Sequence, residues 1–301
     1  MPMLSPRSII SGQPGTVLWT LWTIIASILA AIFFKSTHLD SPRLPPPIQD
    51  HIPEHSTPRL TMAVAALQYL TVPAATRHTA TVFFVHGLGD TGQGWEPVAD
   101  MFRADPALAH VKWVLPHSPQ RPVTANMGIT MPSWFDIYSF GFDTAEDEEG
   151  MRTSAGLIKD LVKLEIEKNG IPANRILLGG FSQGGAMSLL AGLTGEFKLA
   201  GLTVLSGWLP LRSKFKDMAS PNAISTPIFW GHGSADPLVK AQFSKDSADF
   251  LTEQLGVPLA KPGQPGGLSY NVYEGMGHTT IPKELDELKT FIKSVLPANT
   301  N

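Results

Sequence analysis

The sequence contains no cysteine, which excludes disulfides, thiolate metal sites and a thiol nucleophile together and is compatible with a reducing compartment. It has no Asn-x-Ser/Thr acceptor, so nothing argues for passage through a secretory lumen. No run of lysine and arginine breaks the chain and the net charge is only -3, so the electrostatic footprint of a nucleic-acid partner is missing. What the chain has is length and apolar content. Its 301 residues at 43% hydrophobic can bury one large core, and nothing after residue 60 reads as an interdomain break. One globular domain over 61–298 is expected.

Before that domain, residues 1–16 form a short leading segment, and Val17–Phe34 carries no charge. Its 18 residues would reach roughly 27 Å as a helix, just short of a bilayer core. Trp19 and Trp22 near one end and Lys35 at the other resemble interfacial anchors. An uncleaved membrane anchor is the favoured reading, because no small-residue cleavage site follows Phe34; a signal peptide and an extension foreign to the functional chain are the rivals. Residues 35–60, with Pro42, Pro45, Pro46, Pro47, Pro53 and Pro58, read as a stiff tether.

Short apolar runs then alternate with amphipathic ones. Strands are expected at Thr81–Val85, Val111–Leu115, Arg175–Leu178, Gly201–Leu205, Pro227–Trp230 and Leu268–Tyr273. Helices are expected at Glu146–Asn169, Gln183–Leu193, Pro237–Leu255 and Pro282–Leu296, and residues 261–267 as a surface loop. Strand then helix, repeated, predicts an α/β protein with a mostly parallel central sheet and helices on both faces. Asp147, Glu148 and Glu149 fit the first turn of a helix, whose dipole favours anions, better than a metal site. No metal or cofactor is expected.

The strongest feature is Gly180-Phe181-Ser182-Gln183-Gly184, where an aliphatic run passes through G-x-S-x-G straight into a helical run. In that context a strained elbow lifts a serine hydroxyl over the carboxyl edge of the sheet, and glycine on either side lets strand and helix approach. This is the nucleophile arrangement of the α/β-hydrolase fold, which makes Ser182 the candidate nucleophile. The serine needs a base and the base an orienting carboxylate, arriving in the order Ser, Asp or Glu, His. Asp236, in a turn after the Pro227–Trp230 strand, and His278, in a glycine-flanked loop before the last helix, meet that order. His232 precedes the aspartate and would break it.

Oxyanion donors are expected from the amide after the nucleophile, Gln183, and from Leu88 in the loop Val85-His-Gly-Leu-Gly-Asp90, with His86 shaping that loop. The same loop spells G-x-G-x-x-G through Gly87, Gly89 and Gly92, the signature of a dinucleotide site. The following strand ends in Leu115-Pro-His-Ser-Pro-Gln120 with no acid to hold a ribose, which disfavours that reading.

Taken together, Val85–Asp90, Met131-Pro-Ser-Trp-Phe-Asp-Ile137, Glu146–Gly150, Ile176–Ala186, Trp208-Leu-Pro-Leu211, Asp236-Pro-Leu-Val239 and Tyr273-Glu-Gly-Met276 resemble the acyl-protein thioesterase and lysophospholipase family of eukaryotes. The resemblance runs from about Leu60 to Leu296. It implies Ser182, Asp236 and His278 as a triad, Leu88 and Gln183 as the oxyanion hole, no cofactor, and hydrolysis of fatty-acyl thioesters on protein cysteines. It also implies S-acylated proteins such as G-protein alpha subunits as partners, lysophospholipids as minor substrates, and a cytoplasmic and nuclear location. Family members usually lack a segment like that before Leu60, and some carry an acylated amino-terminal cysteine. Without cysteine, membrane contact here would fall to Val17–Phe34.

A thiolate leaves with a pKa near ~8.5, so a thioester asks less of the general acid than an oxygen ester does. The segment Met127-Ile129-Met131-Pro132-Trp134-Phe135-Ile137 is the candidate acyl-binding wall, with Met131, Trp134, Phe135 and Ile137 as its core; an ordinary packing loop is the plainer reading. Two other functions stay open: a carboxylesterase or lysophospholipase acting on oxygen esters, and a membrane-tethered acyl-binding protein without catalysis.

Overall fold

The computed structural model describes residues 66–140, 145–261 and 266–298. The Val17–Phe34 run, the proline-rich tether and most of the 261–267 loop lie outside the described residues.

The elements follow the alternating pattern: β1 (Tyr69–Val72), β2 (Ala80–Val85), α1 (Glu96–Arg103), β3 (Val111–Pro116), β4 (Gln120–Val123), β5 (Ile129–Pro132), α2 (Glu148–Asn169) and β6 (Ile176–Phe181). They continue with α3 (Gln183–Leu193), β7 (Gly201–Leu205), α4 (Arg212–Met218), β8 (Ile228–Gly233), α5 (Ala241–Asp249), β9 (Leu268–Tyr273) and α6 (Pro282–Val295). Seven strands form one sheet in the order β1-β3-β2-β6-β7-β8-β9, while β4 and β5 make a separate hairpin. Only β1 runs antiparallel within the large sheet.

The central strands β2, β6 and β7 are buried at every position, as strands covered on both faces must be. Alternation assigns their side chains to two cores. Phe83 and Val85 face the core that α2, α3 and α5 cover, with Ile158, Met187 and Ala248. Val82 and Phe84 face the core that α1 and α6 cover, with Phe102, Leu288 and Ile292. Crossovers on both faces leave the carboxyl ends of the parallel strands at one edge, where loops gather the candidate residues.

Several boundaries depart from the sequence reading for identifiable reasons. Helix α2 starts at Glu148 because Asp147 is its N-cap and accepts a hydrogen bond from Gly150 N at 2.9 Å. Gly170 ends it at φ 67°. Strand β8 continues through His232 to Gly233, so His232 is a strand residue and not part of a turn. No helix begins at Pro237: Asp236 Oδ1 accepts from both Leu238 N and Val239 N at 2.9 Å as a cap would, but Val239 O, which a continuing helix would offer to Phe243 N, accepts from His232 Nε2 at 2.7 Å, and Phe243 N turns to Lys240 O. Helix α5 starts only at Ala241, ends at Asp249, and gives way to a π-helical turn, Phe250–Gln254. Strands β1, β4 and β5 and helices α1 and α4 are short elements that the hydrophobic pattern did not announce.

Candidate active site

Ser182 sits between β6 and α3 at φ 54° and ψ -120°, a conformation a non-glycine residue holds only when its surroundings force it. The forcing is visible. A Cβ on Gly184 would lie 2.0 Å from Val85 O, and one on Gly180 would lie 2.4 Å from the Gly184 carbonyl carbon. Strand and helix backbones therefore touch where no side chain fits, and Ser182 N donates to Leu205 O of the neighbouring strand at 2.8 Å. The elbow is locked from both sides.

His278 Nε2 stands 2.9 Å from Ser182 Oγ, and His278 Nδ1 stands 2.7 Å from Asp236 Oδ2. With a carboxylate at Nδ1, the imidazole keeps its proton there and presents Nε2 as the acceptor for the serine hydroxyl. Phe181 stacks beside the imidazole with ring centroids 4.8 Å apart. The Asp236 side chain is fully buried, and its other oxygen is spent on the Leu238 and Val239 amides, so it has one orientation available. The aspartate and histidine loops meet at Gly233, where a Cβ would fall 2.0 Å from Met276 O. Three residues from distant parts of the sequence thus converge at one sheet edge.

His232 is placed elsewhere. Its Nε2 faces Val239 O at 2.7 Å, the residue is fully buried, and burial lowers its pKa, so it is a neutral donor that braces the aspartate turn. His86 is likewise structural. Nδ1 donates to Gly87 O at 2.7 Å and Nε2 accepts from Ser118 N at 3.1 Å, an arrangement only the neutral ring satisfies, and burial lowers its pKa to about 4. It shapes the loop that carries Leu88.

That loop lies against the elbow: a Cβ on Gly87 would sit 3.4 Å from Ser182 Cβ. Among the described residues, neither Leu88 N nor Gln183 N donates to a protein acceptor. Gln183 is moreover the first residue of α3, where the amide has no partner within the helix and the dipole favours negative charge. The G-x-G-x-x-G amides are differently committed, with Gly89 N on Pro132 O, Asp90 N on Gly87 O and Gly92 N on His117 Nδ1. A phosphate would find those donors occupied. Among the described residues no group of three His, Cys, Asp or Glu side chains is placed to hold a metal ion.

The sequence pattern of the phospholipase/carboxylesterase family matches residues 68–296. The chain belongs to that family. Among relatives, acyl-protein thioesterase 1 of Gibberella zeae is 45% identical over 243 residues, covering 78% of this chain and 99% of the relative. Acyl-protein thioesterase 1 of Cryptococcus neoformans is 44% identical over 237 residues, covering 77% and 98%. Among solved structures, Zea mays acyl-protein thioesterase 2 superposes with a TM-score of 0.65 at 29% identity, covering 76% of this chain and 99% of the other. Arabidopsis thaliana SOBER1 does so with a TM-score of 0.65 at 32% identity, covering 72% and 99%. The fold is the α/β-hydrolase fold, as for other members of the phospholipase/carboxylesterase family.

The expected acyl-binding wall divides. Trp134 is fully buried, packs on the His86 ring at 5.2 Å between centroids and donates its indole N–H to His86 O at 2.9 Å, so it is a brace beneath the loop that carries Leu88. Met131 is half-buried, its sulfur 4.0 Å from where a Gly89 Cβ would be. Phe135 and Ile137 line a cavity of about 220 Å³ together with Met151, Trp208, Leu209 and Phe243, with Asp136, Glu146 and Arg212 on its polar side. Trp208, Leu209 and Phe243 were not singled out as lining residues; only folding brings them beside Phe135. Met127 and Ile129 are exposed on the hairpin.

Proposed function

We propose that this chain is a serine hydrolase that removes fatty-acyl groups from S-acylated proteins. The single observation that carries the hydrolytic part is the unbroken relay from Ser182 Oγ to His278 to Asp236 at 2.9 and 2.7 Å. The thioester preference rests on the acyl-protein thioesterases to which the chain is similar.

In this reading Ser182 Oγ attacks the acyl carbonyl carbon while His278 Nε2 takes its proton, and the Leu88 and Gln183 amides receive the oxyanion. Collapse of the tetrahedral intermediate breaks the C–S bond, and His278 returns the proton to the departing cysteine sulfur. Water then repeats the sequence on the Ser182 ester: His278 accepts its proton, the hydroxide adds to the carbonyl, and Ser182 leaves as the hydroxyl with a free fatty acid as product. The buried Asp236 carboxylate stabilises the imidazolium that forms in each half-reaction. Apolar surface around Met131, Phe135 and Ile137 is the proposed seat of the acyl tail, each buried methylene contributing about 0.8 kcal/mol; the cavity that Phe135 and Ile137 border is lined by none of the triad residues.

Acylated proteins, G-protein alpha subunits among them, are the proposed main substrates, and lysophospholipids the minor ones. The cytoplasm, with the nucleus and a membrane contact through Val17–Phe34, is the proposed place of action. The family's carboxylesterase members favour one second reading, hydrolysis of oxygen esters. Matched thioester and oxygen-ester substrates of equal chain length decide between them: a higher kcat/KM on the oxygen ester would overturn the thioesterase assignment. Absence of Ser182 labelling by a fluorophosphonate would instead point to an acyl-binding protein without catalysis.

A further inference from the structure

The two proposed oxyanion donors, Leu88 N and Gln183 N, lie three residues beyond Val85 and Gly180, the paired ends of β2 and β6. The ladder and the close approach of Gly184 to Val85 O align those ends, but among the described residues no hydrogen bond joins 86–90 to 181–184, so the stance of the Leu88 loop over the helix start needs a further support. The segment Pro132–Phe135, which leaves the end of β5, touches both. On one side Pro132 O accepts from Gly89 N at 2.9 Å, and the Trp134 indole donates to His86 O at 2.9 Å, two residues before Leu88. On the other side the Gln183 carboxamide reaches across. Its Oε1 accepts from Trp134 N at 2.9 Å, and its Nε2 donates to Phe135 O at 2.8 Å and Ser133 Oγ at 3.1 Å.

We propose that Pro132–Phe135 is the spacer of the oxyanion hole and that the Gln183 carboxamide is its latch, a positioning group distinct from the Gln183 amide. This rests on the hydrolytic reading above. A fully buried carboxamide beside an apolar core is a costly choice for packing alone, since Met or Leu would fill a similar volume. Here each polar atom of that side chain is satisfied by a stretch of backbone that has no ladder partner of its own. The latch makes one unit of the helix start that carries one donor and the segment that braces the other. Loosening it displaces both donors from the point where the oxyanion forms, while the ground-state contacts of a short acyl group stay as they were.

The test replaces Gln183→Glu and, separately, Trp134→Phe in the full chain, with a two-carbon acyl thioester and oxygen ester as substrates. The glutamate keeps the length and the acceptor toward Trp134 N but loses both donors when ionised; protonation restores one. The expected result is a kcat about ten-fold or more below wild type at alkaline pH with KM within about two-fold, because donor misplacement acts on the transition state. For Gln183→Glu the ratio of variant to wild-type kcat should rise as pH falls from about 9 to about 6, a recovery that a merely structural role would not produce. Melting temperature is recorded for each protein. A folded variant with kcat within about two-fold of wild type, or a ratio flat in pH, overturns the latch. Should Gln183→Glu not fold, a folded Trp134→Phe with kcat within about two-fold of wild type overturns the spacer on its own. A wild type inactive on both substrates would refute the hydrolytic reading itself, an outcome separate from failure of the latch.

Discussion

Replacing Asp236 by Asn tests the site most directly, because the structure leaves the new side chain no good orientation. Asp236 accepts three hydrogen bonds: Oδ2 from His278 Nδ1 at 2.7 Å, and Oδ1 from Leu238 N and Val239 N at 2.9 Å each. An asparagine whose oxygen stays on the two backbone amides turns its NH₂ toward His278 Nδ1. The imidazole must then move its proton to Nε2, which faces Ser182 Oγ with a donor where an acceptor is needed. The flipped asparagine keeps the histidine tautomer but aims its NH₂ at two backbone donors, leaving these buried groups unpaired at about 1–3 kcal/mol each. The first orientation wins on this count, and catalysis loses. The expected loss in kcat is about 10⁴-fold, the effect of the wrong tautomer in a triad, or roughly 5 kcal/mol in the barrier. Stability should fall by only about 1–3 kcal/mol, since no volume changes and the carboxamide retains part of the network. The assay is steady-state hydrolysis of a palmitoyl-thioester substrate, with urea denaturation run in parallel. A folded Asp236→Asn protein retaining more than about a tenth of wild-type kcat would refute the tautomer argument.

Two further substitutions probe the frame around the site. Gly184→Ala would put a Cβ 2.0 Å from Val85 O, backbone against backbone, and should cost about 3 kcal/mol or more in denaturant unfolding; a loss below about 1 kcal/mol would mean that the helix-to-strand contact is not as tight as drawn. Glu284 is fully buried, and burial pushes its pKa up to about 8. Its folded pKa lies above the unfolded one, so between about pH 4.5 and pH 8 the folded state holds the extra proton, and stability declines as pH rises through that window. Glu284→Gln should remove the decline, gaining a few kcal/mol over wild type above pH 8 while matching it near pH 5. Melting curves of the two proteins that stay parallel across this range would exclude the effect.

The parts of the site legible in the sequence are those dictated by local chemistry. A serine between glycines at a strand-to-helix junction announces its own strained geometry, because Gly180 and Gly184 are needed where the backbones touch. The order of Ser182, Asp236 and His278 along the chain follows from the order in which parallel strands deliver loops to one edge. The boundaries that went wrong are those where a side chain captured backbone groups. His232 takes the Val239 carbonyl that a helix from Pro237 would have used, and the β9 ladder extends β8 through His232.

Trp134 and Phe135, adjacent in one motif, look equivalent in composition and hydropathy. The fold separates them, sending one indole to His86 O and the neighbouring ring to a cavity wall beside Trp208. By itself, then, the sequence determined the layered α/β architecture and singled out Ser182, Asp236 and His278, which the fold brings into contact, since periodicity and turn chemistry act over a few residues. Which aromatic braces and which lines, how far apart the two amide donors stand, and what the Gln183 side chain holds were decided only by tertiary structure. Those depend on contacts between segments some 50 to 95 residues apart, and no local pattern specifies which of them will meet.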